Sequence, residues 1–319
     1  MHEFQLINRF FTKLIKNNKY SLNLNDDVFF DQSKRLVVSI DTYVDGVHFI
    51  NFNKPELVIK KIIRSSISDL ICKGIEPQYY FISGSGNKKS FSISNLNKIS
   101  KSLKQEQKRY NISLCGGDTV FSNKLSFSIT SIGFSKKIIY RNKAKLNDDI
   151  YVTGNLGDSF AGLEILKKRI NTSKNLNNYF IDKYYKPDLN LRLAKKLFLF
   201  ANTSIDISDG LISDLKKLTN KQKFSYKLKL DKIPISKNLK DLIFIKSLDK
   251  LSFVSRGDDY QILFTASVSK QRIINKIAKS LGVKISKIGK ICSLNQKSQI
   301  IDQKGNKITI KDKGYYHKF

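Results

Sequence analysis

The spacing of apolar residues predicts an α/β protein of two domains, residues 1–148 and 149–319. Three observations carry this. Short β-branched runs alternate with longer stretches of helical period along the chain, as in strands interleaved with helices. At 319 residues the chain is long enough for two cores. A basic stretch, Lys136 to Lys145, ends a strand-rich first half, and the second half opens with strand, glycine turn and helix.

Taken in order, residues 1–17 carry Phe4, Leu6, Ile7, Phe10, Phe11, Leu14 and Ile15 at helical spacing and predict a surface helix, not a signal peptide. Asp26 and Asp27 follow in a polar turn. Val37, Val38 and Ile40 predict a buried strand that breaks at Asp41, with Asp45-Gly46 as a turn. Pro55 to Ile71 reads as a helix, with Pro55 at its first position, Gly74 as its stop and Asp69 in its last turn. Gln78 to Ser83 reads as a strand, Leu96 to Tyr110 as a Lys-rich surface helix, and Ile112 to Cys115 as a short strand before a Gly116-Gly117-Asp118 turn. Leu125 to Phe134 alternates as a strand with one buried face.

In the second half, Ile150 to Thr153 predicts a strand, and residues 154–159 a glycine turn into a helix ending near Arg169. Such a helix N-terminus could hold an anion, but no Gly-Lys-Ser/Thr follows as in a Walker loop. Pro187-Asp188 starts another predicted helix, to about Phe200. Asp206 and Asp209 flank a strand-to-helix junction that Ser208 or Asp209 could cap. Strands are expected at 224–230, 261–265, 283–291 and 308–310, and a helix capped by Ser269 runs to about Leu281.

Composition narrows the function. No run approaches the roughly 18 apolar residues of a membrane span. Cys72, Cys115 and Cys292 are odd in number and far apart, which argues against a disulfide framework or a CxxC site and for a reducing compartment such as the cytoplasm. The net charge of +31 would suit a nucleic-acid surface, but the lysines are spread over the whole chain among Asn and Ile. It reads as compositional drift without a specific nucleic-acid partner, in a field that still attracts phosphorylated ligands.

The acids carry the chemistry. Asp27, Asp41, Asp69, Asp118, Asp206 and Asp209 each sit at the end of a predicted element. Any one of them fits a turn or a cap as well as a cation ligand. Gathered together they would need cations, and with only three His residues in the chain the hard ions Mg²⁺ or Mn²⁺ fit better than zinc. Mg²⁺ bound through few carboxylates is usually shared with substrate phosphates, so a nucleotide is the natural ligand.

Asp26-Asp27, SIDT at 39–42 with His48, SDL at 68–70, GGDT at 116–119, YVTGNLGDSFAGL at 151–163, IDISDGLISDL at 205–215 and GDDYQILFT at 257–265 stand in an order that resembles the thiamine-monophosphate kinase family. The resemblance is colinear from about residue 3 to the C-terminal KGYYHKF. It implies the aminoimidazole ribonucleotide synthetase-like fold, with N-terminal sheets pairing across a homodimer. It also implies ATP-dependent phosphorylation of thiamine monophosphate to thiamine diphosphate with several Mg²⁺ ions. Asp27, Ser39, Asp41, Asp69, Asp118, Asp206 and Asp209 would correspond to metal ligands, with Ile40 through its carbonyl alone. Gly117, Asp118, Arg141 and Ser208 would meet ATP, and Asp41, Asp118 and Arg141 would carry catalysis. His48, Asp258 and Tyr315 would meet the substrate. Arg256-Gly257-Asp258 departs from the family's Gly-Gly-Glu, and Asp312 stands where an aromatic is expected. Rival readings are another enzyme of the same superfamily and a basic nucleic-acid-binding protein.

Overall fold

The structure is a computed structural model describing residues 3–15, 18–309 and 314–315; Asp312, residue 310 and the last four residues lie outside the described set. The N-terminal stretch is helical but irregular: α1 (Glu3–Leu6) passes into a π turn and then 3₁₀ turns. A five-stranded sheet follows, built from β1 (Phe29–Asp31), β2 (Leu36–Val44), β3 (Pro77–Gly86), β4 (Ser113–Phe121) and β5 (Ser126–Phe134). Its order is β1-β2-β5-β3-β4, with only the β3–β4 pair parallel.

The strand expected to break at Asp41 runs on to Val44, because β5 offers an equally long partner: nine residue pairs run unbroken from Leu36–Phe134 to Val44–Ser126. Asp41 is therefore an inward-facing strand residue, two positions from buried Ser39 and Tyr43. Gly116 and Gly117 form no hairpin turn. They lie within β4, at the sheet edge, where a Cβ on Gly117 would stand 1.8 Å from the Ile82 carbonyl oxygen.

Two helices cover this sheet, α2 (Pro55–Cys72) and α3 (Ile93–Tyr110). Gly74, at φ +86°, stops α2 as expected. One side of α2 packs Val58, Ile62, Ile63 and Ile67 into the core with Phe127 and Ile129. Its polar side is buried as well. Lys61, Arg64, Ser65 and Ser68 are all sequestered on the side that meets the second half of the chain, while Ser66 faces the sheet, its hydroxyl 2.9 Å from that of Ser131. Arg64 is satisfied by Glu106 of α3 through two contacts of 2.8 and 3.1 Å.

The second sheet holds seven strands in the order β12-β11-β8-β10-β6-β9-β7. They are β6 (Asp149–Thr153), β7 (Thr203–Asp206), β8 (Phe224–Lys229), β9 (Ile262–Ala266), β10 (Ile285–Ser293), β11 (Gln299–Ile301) and β12 (Lys307–Ile308). Helices α4 (Asp158–Leu166), α5 (Lys174–Tyr185), α6 (Ala194–Leu197), α7 (Leu211–Leu218), α8 (Lys237–Lys246), α9 (Lys250–Val254) and α10 (Gln271–Leu281) connect them. The helix expected from Pro187 reduces to a 3₁₀ turn and the four residues of α6. The principal helix there is α5, capped by Ser173 and anchored by Phe180, Tyr184 and Tyr185. Ser269 caps nothing; it sits in a 3₁₀ turn before α10. Among the described residues, no helix is long and apolar enough to cross a membrane.

Candidate active site

Helix α2 joins the two halves of the site. Asp69 lies in its last turn, and Ser68 donates its hydroxyl to Asp206 at the end of β7. Asp27 arrives from the turn before β1. One carboxylate oxygen from each of Asp27, Asp69 and Asp206 falls within 4.8 Å of the others. Asp41 and Asp209 line a cavity of about 450 Å³ together with Asp69 and Asp206. Five acids named from sequence thus converge.

Burial first, and for Asp69 and Asp206 the neighbouring carboxylates, raises the acids' proton affinity. Burial pushes Asp41 and Asp206 up to about 6, with hydrogen bonds from Tyr43 and Ser68 respectively holding them back. Asp69 is driven well above the usual carboxylate range, by burial first and then by the charges of Asp41 and Asp206. Close, oxygen-only donors whose burial and mutual repulsion still raise Asp69 fit a hard divalent cation such as Mg²⁺ or Mn²⁺.

Among the described residues, four cations border the acids, Lys61 and Lys73 buried and Arg141 and Lys217 half-buried, and sequence reading named one of them, Arg141. Arg141 pairs with Asp27 and donates its backbone N–H to Asp26 at 2.9 Å. Lys73 bonds Asp26 and Asp27, and Lys217 bonds Asp209 and Asp214. Lys61 pairs with Asp258 at 2.8 Å, its ammonium 3.9 Å from the centre of the Tyr184 ring. Asp214 was missed as well. It is fully buried and accepts the Asp209 and Gly210 N–H groups at 3.0 Å each, fixing the turn into α7, whose N-cap is Gly210 and not the expected Ser208 or Asp209.

The acids stand between two cavities. The first is walled by Tyr43, His48, Phe160, Tyr184, Asp258 and Tyr315, among others. His48 is oriented by the Val44 N–H, which donates to its Nδ1 at 3.0 Å. Asp258 holds φ +67°, takes the Tyr260 hydroxyl at 3.0 Å and gives its own N–H to the Ser208 carbonyl at 2.9 Å. The second cavity, about 870 Å³, is lined by Arg141 and by Lys13, Lys19, Lys143 and Lys221 beside Asp26.

Other residues named from sequence fall elsewhere. Ser39 is buried on the Asp41 face of β2, its hydroxyl 3.4 Å from the Ser66 carbonyl. Ile40 points its side chain away, 70% exposed. Ser208 lines the first cavity, not the Arg141 side. Gly117 shares one row across the sheet with Asp41, Ile129 and Ile82, three strand spacings or about 14 Å from Asp41. Asp118 is the next residue and so turns to the opposite, outer face, apart from the other acids. Asp312 is outside the described residues.

The raised proton affinities predict a pH dependence. Asp41 and Asp206 bind protons more tightly folded than an unfolded carboxylate at 3.8. Their contribution to stability is therefore full below about pH 4 and lost as pH rises through about 6. In EDTA, melting curves should show this cluster-dependent loss over that window, and Asp41→Asn should flatten it; an unchanged profile in the variant would contradict the assignment.

Residues 25–135 match the family model for the AIR synthase related protein, N-terminal domain. Thiamine-monophosphate kinase of Buchnera aphidicola subsp. Acyrthosiphon pisum is 35% identical over 99% of this chain and 98% of its own. That of Haemophilus influenzae is 31% identical over 91% of this chain and 89% of its own. Among solved structures, AaThiL complexed with AMPPCP and TMP superposes with a TM-score of 0.84 at 27% identity, covering 99% of this chain and 97% of that one. The colinear motifs, the two sheets and the full-length identity to these relatives agree: this chain belongs to the thiamine-monophosphate kinase family.

Proposed function

We propose that the chain transfers the γ-phosphoryl group of ATP to the phosphate of thiamine monophosphate, giving thiamine diphosphate and ADP. The observation that carries this is the acid cluster set between a lysine-lined cavity and an aromatic one. The lysine-lined cavity suits the polyphosphate of the donor. The aromatic one, with His48, Asp258 and Tyr315, suits a flat cationic acceptor that carries a phosphate.

A terminal oxygen of the acceptor phosphate attacks the γ-phosphorus, and the bond to the β–γ bridging oxygen breaks, leaving ADP. The attacking oxygen is already anionic, so no general base is required. The obstacle is to bring two polyanions together in line. Mg²⁺ held by Asp27, Asp69 and Asp206, with Asp41, Asp209 and Ser39 adjoining, would supply the charge neutralisation for both phosphates. Arg141 leaves Asp27 to meet the transferring group, and Lys217 keeps Asp209 compensated. His48 and Tyr315 position the acceptor ring, while Lys61 holds Asp258 at its wall.

Asp118 enters this reading through a homodimer. Strand β4 is an exposed edge, and the outer face of its sheet shows Ile40, Tyr79, Phe81, Val120 and Phe134 to solvent. A second copy would cover that face and set Gly117-Asp118 at a shared site. Three unpaired cysteines fit a cytoplasmic enzyme.

The test is coupled ADP release together with sedimentation of the same preparation. Turnover should require Mg²⁺ and thiamine monophosphate together, exceed that with thiamine by roughly 100-fold or more, and come from a species of twice the chain mass. Equal turnover with thiamine or with aminoimidazole precursors would replace the substrate assigned here. Tight, salt-sensitive binding to generic DNA without turnover would favour the nucleic-acid reading.

A further inference from the structure

Lys73 is fully buried, one residue past the end of α2, with its ammonium inside the acid-rich centre. An ammonium has three donors. Here all three are used: Asp26 Oδ1 at 2.7 Å, Asp27 Oδ2 at 2.6 Å and the Ser204 carbonyl at 2.8 Å. The other oxygens of the acid pair are also engaged, Asp26 Oδ2 by the Arg141 N–H and Asp27 Oδ1 by the Arg141 guanidinium. A charge this deep is tolerated only when paired, so the site is built around it.

Resting on the metal-dependent kinase reading above, we infer that Lys73 is a resident cation that takes the place of a divalent ion at the Asp26–Asp27 pair. The chain then needs one divalent ion fewer than its acids imply. Asp26 is committed to Lys73 and the Arg141 backbone. Asp27 alone of the pair is shared with Asp69 and Asp206. Lys73 thereby positions Asp27 at that cluster before any substrate arrives, and Arg141 is the partner left to exchange Asp27 for phosphate. Lys73 is a positioning residue in this account; it touches the acids and no reacting atom.

The test measures Mn²⁺ bound per chain by equilibrium dialysis without nucleotide, alongside melting curves in EDTA and in excess Mg²⁺. Lys73→Met keeps the side-chain length and removes the charge. It should bind one Mn²⁺ more than wild type, melt about 5 °C or more lower in EDTA, and recover most of that loss in Mg²⁺. Folding of this variant only in the presence of Mg²⁺ would be the same result in stronger form. Asp26→Asn in the wild-type background gives a second test that does not depend on that variant folding: its Mn²⁺ count should equal wild type. A count lower by one in Asp26→Asn, or equal counts in wild type and Lys73→Met, overturns the role of Lys73 and leaves the kinase reading intact. Absence of Mn²⁺ uptake by wild type removes the metal site itself.

Discussion

Asp41→Asn should lower kcat/KM by about 10³, roughly 4 kcal/mol of transition-state stabilisation, while the protein stays folded. Asp41 faces inward from β2 onto the cavity it shares with Asp69, Asp206 and Asp209. Asn matches its size and still accepts the Tyr43 hydroxyl, which lies 3.2 Å from Asp41 Oδ2. What it loses is the charge. Without a cation the charge is costly, since burial and Asp41 both raise the proton affinity of Asp69. The variant should therefore melt at or above the wild-type temperature in EDTA and gain less from Mg²⁺ than wild type does. Kinetics and melting on one preparation separate these effects. Full activity would take Asp41 out of the site, and loss of folding would make it a structural residue.

Gly257→Ala should damage both stability and turnover. A Cβ at residue 257 would lie 1.7 Å from the Ser208 carbonyl oxygen, 2.5 Å from its carbon and 2.8 Å from the Asp209 Cα. All three are main-chain atoms, so no rotamer change relieves the clash. The contact is the joint between the end of β7 with its following loop, which carry Asp206 and Asp209, and the loop before β9, which carries Asp258. Three backbone bonds close it: Asp258 N to Ser208 O at 2.9 Å, Tyr260 N to Ile207 O at 2.9 Å and Ile207 N to Gln261 O at 2.8 Å. Forcing the loops apart should cost about 3 kcal/mol or more, a fall of roughly 6 °C or more in Tm. It should also raise KM for the acceptor, because Asp258 moves with the loop. A variant that melts and turns over like wild type would show that the joint yields.

Much of this arrangement was legible in the chain. The strand at Val37, the helix from Pro55 to its glycine stop and the strand–turn–helix units at 150 and 205 are strong periodic signals, and four of their acids, Asp41, Asp69, Asp206 and Asp209, do gather. Other parts were hidden for physical reasons. Helix α5 is dominated by Lys, Asn and aromatic residues, so its apolar anchors do not stand out against weak propensity. The diglycine before Asp118 has the composition of a turn, and only its pairing with β3 makes it a strand. The acid-paired lysines at 61, 73 and 217 are lost among 58 Lys and Arg residues, since sequence does not distinguish a solvated ammonium from one enclosed by acids. Strand alternation turns Asp118 away from the other acids, a consequence of register that spacing alone did not reveal.

The most direct measurement is a crystal structure with Mn²⁺ and a non-hydrolysable ATP analogue, read by anomalous scattering. Manganese peaks are expected between Asp27, Asp69 and Asp206, with the nucleotide's terminal phosphate beside them and its base toward Lys13 and Lys143. Peaks confined to other surfaces, or a nucleotide seated away from those three carboxylates, would contradict this placement.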